Sequence, residues 1–154
     1  MTLKDVMSSG VYAVNPNASI HDAAELMKKA NVGMLPVIDN HKVVGVVTDR
    51  DLVTRCLARD YPRDYPRDAT VRVAMTTEPL QLSESTDLDK ALEIMANCKV
   101  GRLLVHDSNG KLTGVFTATD AAASCYGHRA VMKLMATLKQ AHHSKEKNPL
   151  LTSN

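Results

Sequence analysis

The chain has 154 residues, 44% hydrophobic and 23% charged, with a formal net charge of +2, which is one ordinary globular unit or two very small ones sharing a core. One Phe, four Tyr and no Trp leave no aromatic stacking platform, and the near-balanced charge does not imply nucleic acid. No window reaches the roughly 18 apolar residues of a membrane span and the N-terminus has no signal-type apolar run, so a cytoplasmic protein is expected.

The first predicted elements are an extended piece over Val11 to Val14 and a helix beginning near Ser19, a good N-cap residue, with Ala23, Leu26, Met27 and Ala30 at helical spacing. A strand over Met34 to Ile38, the polar turn Asp39-Asn40-His41-Lys42, a strand over Val43 to Thr48 and a helix from Asp49 follow. Residues 59 to 68 duplicate Arg-Asp-Tyr-Pro in tandem, a proline-rich and charged stretch that suits an exposed linker. The series then restarts: an extended piece over Leu80 to Leu82, a helix from Asp87 with Leu88, Ala91, Leu92 and Met95, and a strand over Arg102 to His106. Asn109-Gly110 marks a hairpin, with its return strand over Lys111 to Thr117 and a helix from Ala118.

This recurrence is an internal repeat. A shift of 68 positions lays Met7 on Met75, Ala23 on Ala91, Met27 on Met95, Gly33 on Gly101 and Val37 on Val105. After one inserted residue near Asn109 the shift becomes 69, and Gly45, Thr48 and Asp51 fall on Gly114, Thr117 and Asp120. An ordered series sharing one gap makes the chain two copies of a β-α-β-β-α unit. One copy alone would bury too little, so the two are expected to pack as a pseudo-two-fold pair of mixed α/β (α+β) class. The boundaries read from sequence are 1–58 and 73–126, with a linker over 59–72 and a C-terminal segment over 127–154.

That segment has Arg129, Lys133, Lys139, Lys145 and Lys147 against one acid, Glu146. Val131, Leu134, Met135 and Leu138 recur at i, i+3, i+4 and i+7, opposite Arg129, Lys133, Lys139 and Gln140, so the segment reads as an amphipathic helix. The expectation is a helix from about Ala121 to Ala141 that adds its stripe to a homodimer contact; the alternative is that it folds back on its own chain. Residues beyond Lys145 are expected to be disordered.

Nothing in the chain reads as a catalytic constellation. The histidines His21, His41, His106, His128, His142 and His143 are scattered over turns and surfaces, apart from an adjacent pair that cannot face one metal from a helix. Cys56, Cys98 and Cys125 are odd in number and lack C-x-x-C spacing, against both a disulfide framework and zinc. No metal and no catalytic cofactor are expected.

What remains is the twice-repeated G-h-h-T-x-x-D, in Gly45-Val46-Val47-Thr48-Asp49-Arg50-Asp51 and Gly114-Val115-Phe116-Thr117-Ala118-Thr119-Asp120. A threonine ending a strand and an aspartate in the first turn of a helix gather a hydroxyl, a carboxylate and free backbone N–H groups. The hydroxyl and N–H groups suit a phosphate, and the acid suits a ribose diol. A single T-x-x-D would be read as a helix cap; two at matching positions point to nucleoside phosphate sites.

With GMLPVID before the first motif and GRLLVHD before the second, residues 3 to 126 closely resemble a tandem pair of CBS domains, the Bateman module, in its free-standing form. The resemblance implies a non-catalytic, energy-sensing regulatory module. It would bind AMP, ADP, ATP or a related adenosyl ligand in a cleft between the two domains and signal in trans to an effector protein, as a homodimer. Carried over residue by residue, one site would use Asn15, Ile20, Val32, Gly33 and Met34 with Val115, Thr117, Thr119 and Asp120. The other would use Ser83, Leu88, Val100, Gly101 and Arg102 with Val46, Thr48, Arg50 and Asp51; its arginines mark it for a di- or triphosphate. The alternative function is a nucleic-acid or protein adaptor that uses the basic C-terminal helix and leaves the CBS sites empty.

Overall fold

The computed structural model describes residues 1–58, 69–124 and 129–146, the side chains of 142–146 excepted. The duplicated linker 59–68, Cys125 and the tail from Lys147 therefore lie outside the described residues. In chain order the elements are α1 (Leu3–Val6), β1 (Ser8–Ser9), α2 (Ile20–Ala30), β2 (Met34–Asp39), β3 (Lys42–Thr48) and α3 (Asp49–Asp51), which runs into a π-helical stretch over Leu52–Leu57. After a 3-10 turn (Val71–Val73) come β4 (Thr76–Thr77), β5 (Gln81–Ser83), α4 (Leu88–Cys98), β6 (Arg102–His106), β7 (Leu112–Thr117), α5 (Ala118–Ser124) and α6 (Arg129–Glu146).

These elements form two compact bodies, made by the described residues of 10–79 and of 1–9 with 80–146. In the first, β2, β3 and β4 make an antiparallel sheet in that order. The predicted strand at Val11–Val14 contributes only Val14, in a single parallel bridge to Val37, because Asn15 turns the chain at once: its Oδ1 accepts the Asn17 N–H at 2.9 Å. The helix α2 starts where Ser19 accepts the Asp22 N–H at 2.9 Å and stops at Asn31, in the left-handed region at φ 52°. Its inner face sets Ala23 and Met27 against Leu35, Val37, Val47, Val71 and Ala74.

The second body carries the sheet β1-β7-β6-β5, antiparallel except for the parallel β5–β6 pair. Asp87 caps α4 by accepting the Asp89 N–H at 3.0 Å, and the helix stops at Lys99, φ 55°. Its core is the larger, built from Leu3, Leu88, Leu92, Met95, Leu103, Val105 and Phe116, and closed by Val131 and Leu134 of α6. Met135 and Leu138 pack against the same core. The expected role of this stripe as a dimer contact is therefore corrected: α6 spends its apolar face on its own body, where α4 offers a matching surface.

The compact bodies and the sequence repeats are different partitions of the chain. Each repeat opens with a short strand that belongs to the other repeat's body. Ser8 and Ser9 pair with Val115 and Gly114; at the equivalent positions Thr76 and Thr77 pair with Val46 and Gly45. Gly45 and Gly114 allow this close pairing, since an added Cβ would lie 2.8 Å from the Thr76 carbonyl oxygen in one case and 2.9 Å from that of Ser8 in the other.

Candidate functional site

The two T-x-x-D motifs lie where a strand gives way to a helix. Thr48 pairs with Met34 in the β2–β3 register, and the Asp49 N–H donates to the Gly33 carbonyl at 3.2 Å. The end of β3 is thereby fixed beside Val32, Gly33 and Met34. In the second body Thr117 pairs with Arg102, and the Ala118 N–H donates to the Gly101 carbonyl at 2.8 Å. Each body thus gathers the glycine segment and the T-x-x-D turn of one repeat.

Both aspartates cap their helices. The Thr48 N–H donates to Asp51 Oδ2 at 2.9 Å and the Asp51 N–H donates back to Thr48 Oγ1 at 3.1 Å, a reciprocal capping box. Thr117 and Asp120 repeat it at 2.8 and 3.1 Å. The expectation of free N–H groups around the motif needs correcting, because the Asp49, Arg50 and Asp51 amides donate to the Gly33 carbonyl, Asp49 Oδ1 and Thr48 Oγ1. The chain satisfies its own helix start, so a phosphate at Thr48–Asp51 would have to be met by side chains.

The cap uses one carboxylate oxygen, and in the partner of the other the two turns differ. Asp120 Oδ1 faces the Ser8 hydroxyl at 3.4 Å, and the Thr117 hydroxyl donates to Asp120 Oδ2 at 2.7 Å. Asp51 Oδ1 faces Arg55 Nη2 at 3.6 Å, with the Asp51 side chain 15% exposed and the Arg55 side chain 43% exposed. Among the described residues the Thr48 hydroxyl accepts from Asp51 and donates no bond of its own. The second carboxylate oxygen thus meets a hydroxyl in one turn and a guanidinium in the other.

A family model of the CBS domain matches residues 3–58 and 69–126. The chain belongs to the CBS-domain family. It is 34% identical over 123 residues to the CBS domain-containing protein YhcV of Bacillus subtilis, covering 80% of this chain and 84% of that protein. Among solved structures it resembles CBSX2 in complex with AMP, with a TM-score of 0.70 and 29% identity over 83% of this chain and 98% of that one. It also resembles the CBS domain pair of protein MJ0100 in complex with 5′-methylthioadenosine and S-adenosyl-L-methionine, with a TM-score of 0.69 and 25% identity over 80% and 94% of the two chains.

The remaining residues singled out in this CBS pair have definite places. Val32 is half-buried against the first core, and Val46 and Val115 are half-buried on the strands leading to the turns. Arg50 and Thr119 are exposed in the first helical turn, Ile20 is half-buried at the start of α2, and Arg102 is exposed at the start of β6. Leu88 is only 5% exposed and belongs to the core beneath α4. Asn15 and Ser83 make local turns, Ser83 Oγ lying 3.3 Å from the Ser85 N–H. Val100 packs against the second core.

Ser8 and Arg55 at the motif aspartates, and Thr76 bonded to Arg55, escaped the sequence reading. Ser8 and Thr76 follow the matched pair Met7 and Met75, so the repeat alignment already placed them at equivalent positions. Arg55 stands four residues after Asp51 on a helix, where side chains meet, and its repeat counterpart is Ser124. No group of three or more His, Cys, Asp or Glu among the described residues could hold a metal ion, and no described helix is long and apolar enough to cross a membrane.

Proposed function

We propose that this CBS pair is a non-catalytic regulatory module that binds an adenine nucleotide or a related adenosyl ligand at its T-x-x-D turns and reports occupancy to a partner protein in trans. The observation that carries this reading is the divided carboxylate, seen twice: one oxygen is committed to the helix cap and holds the group still, while the other makes only a long contact, to Ser8 at 3.4 Å or Arg55 at 3.6 Å, that a ribose diol can displace. A preorganised acceptor loses little freedom when a ligand arrives. That CBSX2 holds AMP and the MJ0100 pair holds adenosyl compounds supports the ligand class.

The Asp51 turn is assigned the phosphate-rich ligand, since Arg50 and Arg55 both stand at it. We carry forward Arg102 as a further contributor to that site, and Met34 with Asp120 for the other. Calorimetric titration with AMP, ADP, ATP and S-adenosylmethionine tests the assignment. Asp51→Ala should remove phosphate-dependent binding and Asp120→Ala should spare it; loss of all binding in either variant, still folded by circular dichroism, would overturn the separation of sites. Hydrolysis of any of these nucleotides by the purified chain would overturn the non-catalytic reading.

A further inference from the structure

We propose that Arg55 selects the charge class of the ligand at the Asp51 turn, favouring a phosphate ester over an uncharged nucleoside by moving its guanidinium from backbone and carboxylate partners onto the phosphate; this rests on the reading of that turn as a ribose-phosphate site. Arg55 holds three groups at once. Nη1 donates to the Ala74 carbonyl at 2.7 Å, Nη2 donates to the Thr76 hydroxyl at 3.2 Å, and Nη2 lies 3.6 Å from Asp51 Oδ1. Two of these acceptors are neutral, and the ion pair is longer than a hydrogen bond. A phosphate presents several charged oxygens to the same planar fork, a better partner than any of the three.

The other turn serves as an internal control. There the residue equivalent to Thr76, Ser8, reaches the motif aspartate directly at 3.4 Å, and Ser124 occupies the position of Arg55. Around Asp51 the guanidinium stands between the strand residue and the carboxylate. The helix carrying it is also altered, running as π-helix over Leu52–Leu57, with the Ala58 N–H donating to the Val53 carbonyl at 2.9 Å. Such turns recur at functional sites. A ribose diol and its 5′-phosphate are joined through one ring and one methylene, so a long side chain facing the diol acceptor is within reach of the phosphate.

The consequence is asymmetric. An uncharged nucleoside must compete with Arg55 for Oδ1 of Asp51, whereas a phosphate ester draws Arg55 off it. Release of Arg55 also removes two hydrogen bonds from the 74–76 segment, so ligand charge is felt at β4.

The test is calorimetry of the full chain carrying Asp120→Asn, which keeps the capping oxygen of the other turn and removes its second acceptor. That protein should bind AMP about tenfold or more tightly than adenosine, the scale of one charge-assisted hydrogen bond. Adding Arg55→Gln should bring the two affinities within about threefold, weakening AMP and modestly tightening adenosine, which no longer competes with the guanidinium. Thr76→Val, which deletes one competing acceptor on an exposed strand, should tighten AMP about twofold to threefold and leave adenosine unchanged. Amide exchange at Thr76 and Thr77 should quicken on adding AMP. Equal weakening of both ligands by Arg55→Gln, an undiminished AMP preference, or exchange at Thr76 and Thr77 that does not quicken would overturn the proposal and leave the site itself standing. Absence of binding by AMP and adenosine to the unmodified chain would overturn both.

Discussion

At the residue scale, Asp51 and Asp120 each do two jobs with two oxygens, and substitutions can separate them. Alanine at either position removes the carboxylate half of the capping box, the threonine hydroxyl still accepting the amide at that position, and should cost about 0.5–1.5 kcal/mol of stability, read by chemical denaturation. Asparagine should restore most of that and still fail to restore ligand affinity, because its single oxygen is used by the Thr48 or Thr117 N–H. Full ligand affinity in Asp51→Asn would show that Asp51 Oδ1 is not the acceptor. Gly114 and Gly45 are constrained differently, by the carbonyls of Ser8 and Thr76 that a Cβ would strike. Gly114→Ala should destabilise by about 1–3 kcal/mol through forced displacement of β1. It should also withdraw Ser8 from Asp120; a neutral change would mean that β1 yields freely.

At the element scale, what was legible in the sequence is what local chemistry decides. The starts of α2 and α4 follow from Ser19 and Asp87, whose side-chain oxygens bond amides two or three residues on, and the ends of β3 and β7 follow from Thr48 and Thr117. The exchange of short strands was not legible, because the pairing of Ser8 with Val115 joins residues more than a hundred positions apart and two-residue strands have no periodicity. Nor was the fate of the α6 stripe, since a helical period says which face is apolar and not what covers it. The same limit hid Arg55, whose contacts depend on where Ala74 and Thr76 come to rest.

Helix ends supply a prediction at this scale. Asn31 and Lys99 occupy equivalent left-handed positions, where asparagine is tolerated and lysine is strained. Lys99→Gly should stabilise the second body by about 0.5–1 kcal/mol, strain relief exceeding the added freedom of the unfolded chain, and a fall in the denaturation midpoint would contradict it. The β6–β7 hairpin adds a pH dependence. Asp107 accepts the Lys111 N–H at 2.9 Å and the Asn109 N–H at 2.8 Å, and these bonds, that to Lys111 foremost, hold its carboxyl below the usual aspartate range. A depressed folded pKa gives stability that is present above the unfolded value and lost as pH falls through the folded one. Asp107→Asn should therefore flatten the acid limb below about pH 4, and an unchanged limb would exclude this contact as a source of acid sensitivity.

At the scale of the whole molecule, the proposal of a homodimer loses the α6 stripe as its support and must rest on other surface. Val53 and Leu57, four residues apart on the π-helical stretch, are 52% and 79% exposed and form one exposed apolar pair that such a contact could cover. Light scattering should give twice the chain mass of 16.8 kDa, and Leu57→Glu should return it to one; a monomer at micromolar concentration would reject the dimer.

The central claim is that an adenosyl ligand stabilises this fold through its paired T-x-x-D turns, and thermal melting of the full chain against AMP, ADP, ATP and S-adenosylmethionine tests it most directly. At a ligand concentration 100 times its dissociation constant the folded state should gain about 2.7 kcal/mol, raising Tm by several degrees, and the gain should vanish in the Asp51→Ala, Asp120→Ala double variant. Melting curves that do not move with any of these ligands at millimolar concentration, or that move equally in the double variant, would contradict it.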